Sequence, residues 1–285
     1  MTQESNLTSA RTGLILVLGG TGKTGRRIAE RLSKKGVPTR LGSRAGLPRF
    51  EWNDASTWDE CLAGVEAVYV NYAPDLAVPG ATESIEAFVA RAKGHGVARL
   101  VLLSGRGETE AEACEQIVQR SGIEWTIVRA SWFNQNFSEG PFLEMVRAGK
   151  ITLPAGAIAD PFIDVDDIAE VVVAALTEVR HGGEIYEVTG PRLLTFAEVA
   201  SEIAAASGRA VSYVDLPLRD FTDGLTRSGA PAQMVWLMDY LFTTVLDGRN
   251  AYVSDGVERA LGRRPKDFRE YARAVATTGL WRDVA

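Results

Sequence analysis

Cysteine is nearly absent from this 285-residue chain. Cys61 and Cys114 stand far apart and outside any C-x-x-C pair, which excludes a disulfide framework and a thiolate-based zinc site. Histidine is as scarce: His95 falls in a Gly94-His95-Gly96 stop signal and His181 in a His181-Gly182-Gly183 loop, so neither is read as an acid or base. No apolar run approaches the ~20 residues of a membrane span. Positive charge is not in excess: the net charge is −6, which argues against general affinity for nucleic acid or anionic membranes. The first twelve residues are polar with early acids and lack the organisation of a signal peptide. They read as a disordered tail on a soluble, cytoplasmic protein with reduced cysteines.

What is present begins with glycine. Gly19-Gly20-Thr21-Gly22-Lys23-Thr24-Gly25 follows the apolar run 14–18 directly and opens a helical pattern over 26–35. Glycines three apart let the chain turn tightly off a buried strand, let a diphosphate approach bare amides, and let helix and strand pack closely. The spacing G-x-x-G-x-x-G is neither the dehydrogenase G-x-G-x-x-G nor a Walker loop, so Lys23-Thr24 is not read as a triphosphate clamp. A strand-to-helix turn without a ligand is the alternative.

Apolar strands at 38–43, 49–52, 67–71, 99–104 and 125–129 alternate with helical stretches at 59–64, 82–93 and 110–120. This pattern predicts an α/β fold with a doubly wound parallel Rossmann-type sheet. The expected organisation is a tail at 1–12, an NAD(P)-binding Rossmann domain at 13–150 and a smaller, interleaved substrate-binding region at 151–285. In the latter, a helix follows at 166–178, a strand at 184–188, and a helix from Thr195, where Thr195 and Glu198 form a capping box. Asp164, Asp166 and Asp167 read as acids at a helix start rather than a metal cluster. The stretch 218–246 carries Met234, Trp236, Met238, Tyr240 and Phe242 at helical spacing, as core packing or as a substrate lid.

NAD-selective sites place a carboxylate about 20 residues past the glycine loop. From Leu32 to Phe50 there is no Asp or Glu; Ser43-Arg44 ends the second strand instead, with Arg40 and Arg49 near. A guanidinium and a hydroxyl suit a ribose 2′-phosphate, so NADP(H) is favoured over NAD(H). Glu51 and Trp52 are candidates to meet the adenine. Asn71-Tyr72-Ala73-Pro74 and Ser104-Gly105-Arg106 leave strands at the ligand-binding edge, toward the inner ribose and the nicotinamide.

These residues resemble the NmrA-like branch of the atypical short-chain dehydrogenase/reductases. The likeness extends through Gly96 to Ser104, Ser121 to Arg129, Phe133-x-x-Asn136, Phe162 to Ala169 and the pattern from Asp255 to Tyr271. It covers nearly the whole chain and implies the fold and an NAD(P) cofactor. The family includes NADPH-dependent quinone reductases, reductases of natural-product pathways and regulators that bind the cofactor without turnover. The Tyr-x-x-x-Lys pair of ordinary short-chain dehydrogenases is missing: none of Lys23, Lys34, Lys35, Lys93, Lys150 and Lys266 has a tyrosine four positions before it. Where isoflavone-reductase-like enzymes carry a lysine, this chain has Ala111. The catalytic acid is therefore unassigned.

The leading expectation is a reductase, quinone-reductase-like, that passes hydride from NADPH to a small, largely apolar acceptor such as a quinone, enone or imine. Trp132, Phe133, Phe137 and Phe162, with Tyr72, Phe142 and Met145, are expected to line its cleft, and Asn134 and Asn136 to be polar handles. Water, Tyr72 or Ser104 are candidate proton relays. The alternative is a non-enzymatic NADP(H) redox sensor acting through a protein partner. An epimerase or dehydratase is less favoured. No metal is expected, and a homodimer stays open.

Overall fold

The structure, a computed structural model, describes residues 13–282; the stretch 1–12, read as a disordered tail, lies outside the described residues. Its strands are β1 (Leu14–Leu18), β2 (Thr39–Gly42), β3 (Val65–Val70), β4 (Arg99–Gly105), β5 (Glu124–Ala130), β6 (Lys150–Leu153), β7 (Ala159–Asp160), β8 (Glu184–Val188), β9 (Leu194–Thr195) and β10 (Ser212–Asp215). The α-helices are α1 (Lys23–Lys34), α2 (Trp58–Leu62), α3 (Ala81–Gly94), α4 (Thr109–Arg120), α5 (Leu143–Arg147), α6 (Val165–Thr177), α7 (Phe196–Ser207), α8 (Leu218–Arg227), α9 (Ala232–Tyr240), α10 (Gly256–Leu261) and α11 (Phe268–Thr277).

Six strands form one parallel sheet in the order β2-β1-β3-β4-β5-β8. Alternation along β1 explains why the sheet is covered on both faces. Ile15 and Val17 pack with Ile28 and Leu32 of α1, the apolar side of α6, and Val257 and Ala260 of α10. Leu16 and Leu18 face the opposite layer, built by α2, α3 and α4. The sheet order reverses between β1 and β3, so their carboxyl ends splay into a crevice, the edge at which open α/β sheets bind ligands.

A third core holds the lobe beyond β5. Phe137, Phe142, Phe162, Phe196 and Phe268 cluster there, with the parallel pair β6–β10 and the antiparallel pair β7–β9 at its margins. The chain does not stay in this lobe: α6 and β8 return to the main sheet. The Asp164 carboxylate accepts from the Asp166 amide at 2.7 Å and caps α6. The capping box read at Thr195 and Glu198 forms at the start of α7.

One expected element differs. Residues 49–52 form no strand; Arg49 bridges Ser43 and Glu51 bridges Asp54 only singly. Side chains rather than a ladder pin this segment, because Phe50 and Trp52 pack on Trp58 and Phe88. The stretch 218–246, whose apolar residues lie at helical spacing, divides into α8, α9 and a terminal π-turn over Leu241–Val245. Gly229 (φ +80°) and Pro231 break it, since the first turns the chain left-handed and the second cannot continue a helix from α8.

Candidate active site

The glycine loop turns off β1 at Gly19, whose φ of +65° favours glycine. The Gly20 amide donates to the Gly42 carbonyl (3.3 Å) and the Gly22 amide to that of Gly19 (2.8 Å). The first-turn amides of Lys23, Thr24 and Gly25 have no carbonyl below them to bond, and no side chain caps the helix. A Cβ built on Gly22 would meet only the Gly19 carbonyl oxygen, at 3.2 Å, with open space beyond. Bare amides at the positive end of a helix dipole fit a diphosphate. Thr21 is exposed beside them. Thr24 offers only its backbone: its side chain is buried and accepts a hydrogen bond from the Tyr69 hydroxyl at 2.9 Å.

At the end of β2, next to Ser43, Arg44 is exposed and enters no hydrogen bond or ion pair among the described residues. Arg40, by contrast, turns back to donate to the carbonyls of Glu60, Cys61 and Ala63, and Arg49 donates to Glu51 at 2.7 Å. Trp52 lies between Phe50 and Tyr72, with its indole N–H donated to the Asn71 carbonyl at 3.1 Å. Ser43, Arg44, Glu51 and Trp52 do not themselves line the cavity that follows, although Trp52 packs on Tyr72, which does.

That cavity, about 470 Å³, opens at the carboxyl ends of β3, β4 and β5. It brings together Lys23, Asn71, Tyr72, Pro74, Ser104, Gly105, Trp132, Phe133 and Asn136 among the expected residues, with Phe142 and Met145. Ala73 does not reach it. Leu225, Leu237, Met238 and Leu241 close it from above, so the apolar face read in 218–246 walls the cavity as well as packing into the core. Lys23 donates to the side-chain amide oxygen Oδ1 of Asn136 at 2.7 Å, and burial holds its ammonium below the ordinary lysine range. The pair joins the helix N-terminus to the cavity floor.

Three expected lining residues are elsewhere. Phe137 and Phe162 are core residues, 5.9 Å apart between ring centroids, because the lobe closes around its aromatic cluster. Asn134 is fully buried beneath the segment that bridges to Ile163; nothing in the structure explains why its side-chain amide has no partner. Ser104 does line the cavity, but its hydroxyl donates to Glu115 at 2.6 Å, and Glu115 is also held by Arg129. It is not free to relay a proton.

Sequence reasoning missed the acids. Asp75, from the loop after β3, and Glu108, before α4, both line the cavity. Burial first, and Asp75 second, push the Glu108 carboxyl well above its ordinary range, and burial raises Asp75. Across the cavity Asp160 accepts from Ser131 at 2.9 Å; burial pushes its carboxyl up to about 6. Arg106, also buried, donates to the carbonyls of Asn250 (2.9 Å) and Tyr252 (2.8 Å) and lies under the Tyr252 ring. The only signal in the sequence was position: Glu108 follows the Ser104-Gly105-Arg106 turn, while Asp75 follows Pro74.

The histidines are structural. His95 contacts Asp59 at 2.8 Å, and His181, fully buried, contacts the Tyr186 hydroxyl at 2.8 Å. Among the described residues no helix is long and apolar enough to cross a membrane.

Residues 19–179 match the profile described as NAD(P)H-binding and residues 110–272 that of the NmrA-like family. The chain is 34% identical to the uncharacterized oxidoreductase YesF of Bacillus subtilis, over 94% of this chain and 97% of that one. It is 32% identical to an NAD(P)H azoreductase of Xenophilus azovorans, over 92% and 98%. Its fold matches an NADPH-dependent quinone oxidoreductase of Escherichia coli complexed with NADPH, with a TM-score of 0.77 and 21% identity over 92% of this chain and 99% of the other.

Proposed function

Because the chain belongs to the NmrA-like family of NAD(P)H-binding proteins, we propose that it is an NADPH-dependent reductase of small, largely apolar acceptors such as quinones, enones or imines. One observation carries this reading: the uncapped amides of α1 and an apolar cavity share one sheet edge, joined by the Lys23–Asn136 contact. NADPH bound there would supply hydride. The chain's own part is to hold the diphosphate on the amides of Lys23, Thr24 and Gly25 and a 2′-phosphate against Ser43 and Arg44. Asn71, Tyr72, Ala73 and Pro74 would then follow the inner ribose, and Ser104 and Gly105 the nicotinamide side. Trp132, Phe133, Phe142 and Met145 would hold a flat acceptor and exclude water, which favours alignment for direct transfer. Oxidoreductase relatives support the reaction class.

The test is loss of reduced-nicotinamide absorbance when the purified protein and NADPH meet a panel of quinones, enones, cyclic imines and azo dyes. Turnover with at least one class is expected; binding of NADPH without oxidation across the panel would overturn the reading. A redox sensor is the second reading, and its support is Trp236, exposed on α9 and stacked on Tyr240. Stoichiometric capture of a protein partner, released by one redox form of the cofactor, would favour it.

A further inference from the structure

We infer that Glu108, which lines the wall of the cavity together with Asp75, is the proton donor of this site, so that the acceptors it serves are those that must gain a proton when they gain hydride. The inference rests on the reductase reading above. Two loops from different strands bring the carboxyls together: Asp75 is fixed by accepting from the Ala77 amide at 2.9 Å, and Glu108 folds back over Gly105. A Cβ at Gly105 would run into both carboxyl oxygens, so the glycine that leaves β4 makes the room. Glu108 is 4% exposed, and its Oε2 is buried without a donor to satisfy it. A charged carboxylate with an oxygen held out of water and unsatisfied is disfavoured, whereas a carboxyl that keeps its proton is not.

The groups that face Glu108 reinforce this. Asp75 lies opposite, Glu110 and Glu115 lie on α4 with the Cys114 thiol, and Tyr240 reaches over from α9 to Glu110. Arg106, the nearest guanidinium in the sequence, is turned to Asn250 and Tyr252 instead. Acids outnumber cations around the pair, which disfavours its second ionisation. Asp160 is a poorer donor, because it already accepts from Ser131 and from the Trp132 amide as an anion would.

The proton count closes. Hydride reaches the acceptor carbon or nitrogen from the reduced nicotinamide, and the electron pair displaced from the double bond moves to the neighbouring heteroatom. The O–H bond of Glu108 breaks and that heteroatom takes the proton. Two adjacent carboxylates remain, and their repulsion draws one proton back from water at the cavity mouth.

Glu108→Gln keeps the shape but has no acidic proton. With NADPH and a neutral enone or quinone, its single-turnover rate is expected to fall about 10²- to 10⁴-fold. With a triarylmethyl cation, which takes hydride without a proton, the loss should be far smaller; the ratio of the two losses is the readout. The wild-type rate on the neutral acceptor should fall as pH rises through the pair's raised pKa. Asp75→Asn should move that fall to lower pH. A readout independent of turnover is infrared difference spectroscopy at neutral pH, where a protonated-carboxyl stretch of the wild type should vanish in Glu108→Gln. Equal losses on both acceptors, or a carboxyl band that survives the substitution, would overturn Glu108 as donor and leave the reductase reading in place. A wild type that reduces neither acceptor overturns that reading, and the donation with it.

Discussion

Gly25, in the first turn of α1, lies directly against the backbone of Gly19. A Cβ on Gly25 would overlap the Gly19 carbonyl oxygen, fall 2.7 Å from its carbon and lie 2.9 Å from the Gly20 Cα. All three are backbone atoms, so no side chain can move aside. Gly22 differs, with one neighbour at 3.2 Å and an extended backbone.

The two alanine substitutions therefore separate fold from ligand. Gly25→Ala should destabilise the protein by about 1–3 kcal/mol, the usual cost of overpacking, and weaken NADPH binding with it. Gly22→Ala should leave the urea midpoint nearly unchanged while raising the NADPH dissociation constant in calorimetry. Equal effects of the two on stability would contradict the geometry.

Arg44 is free for a ligand, and Arg40 is not. Arg44→Asp should raise the NADPH dissociation constant roughly 10- to 100-fold, matching the ~1.5–3 kcal/mol of a charge-assisted hydrogen bond, and should leave NADH binding nearly unchanged. Arg40→Ala should lower the melting temperature, since it frees the carbonyls of Glu60, Cys61 and Ala63, without altering the preference between coenzymes. Calorimetry with both coenzymes checks each outcome.

Asp160 links stability to pH. Its carboxyl is raised from 3.8 to about 6 by burial, so the folded state binds the proton more tightly than the unfolded one. Its contribution is full below about pH 4 and is lost as pH rises through 6. Two units correspond to on the order of 3 kcal/mol. Asp160→Asn, whose carbonyl oxygen can still accept from Ser131, should stabilise the protein at pH 8 by up to about that amount and hardly at pH 4. Urea unfolding at the two pH values checks this, and a difference that does not vary with pH would show an ordinary carboxyl.

The glycine turn was legible because its physics is local. Glycine spacing, a strand before and a helix after determine where bare amides face outward, and the missing acid between Leu32 and Phe50 was visible by reading. The segment 49–52 was misread because its apolar residues serve side-chain anchoring, and alternation does not tell a ladder from a pinned loop. Phe137 and Phe162 look no different in sequence from Trp132 and Phe133. Which ring meets the cavity and which the core depends on how the lobe beyond β5 closes.

By itself the sequence determined the parallel sheet and the turn from β1 into α1, since each follows from periodicity and short-range spacing, while its motifs along nearly the whole chain carried the resemblance to the family. Only the tertiary structure decided the chemistry. Asp75 and Glu108 are 33 residues apart along the chain, and each alone reads as an ordinary surface acid. Packing of neighbouring parallel strands places their loops on one edge, and burial there is what raises both carboxyls above the ordinary range of a surface acid.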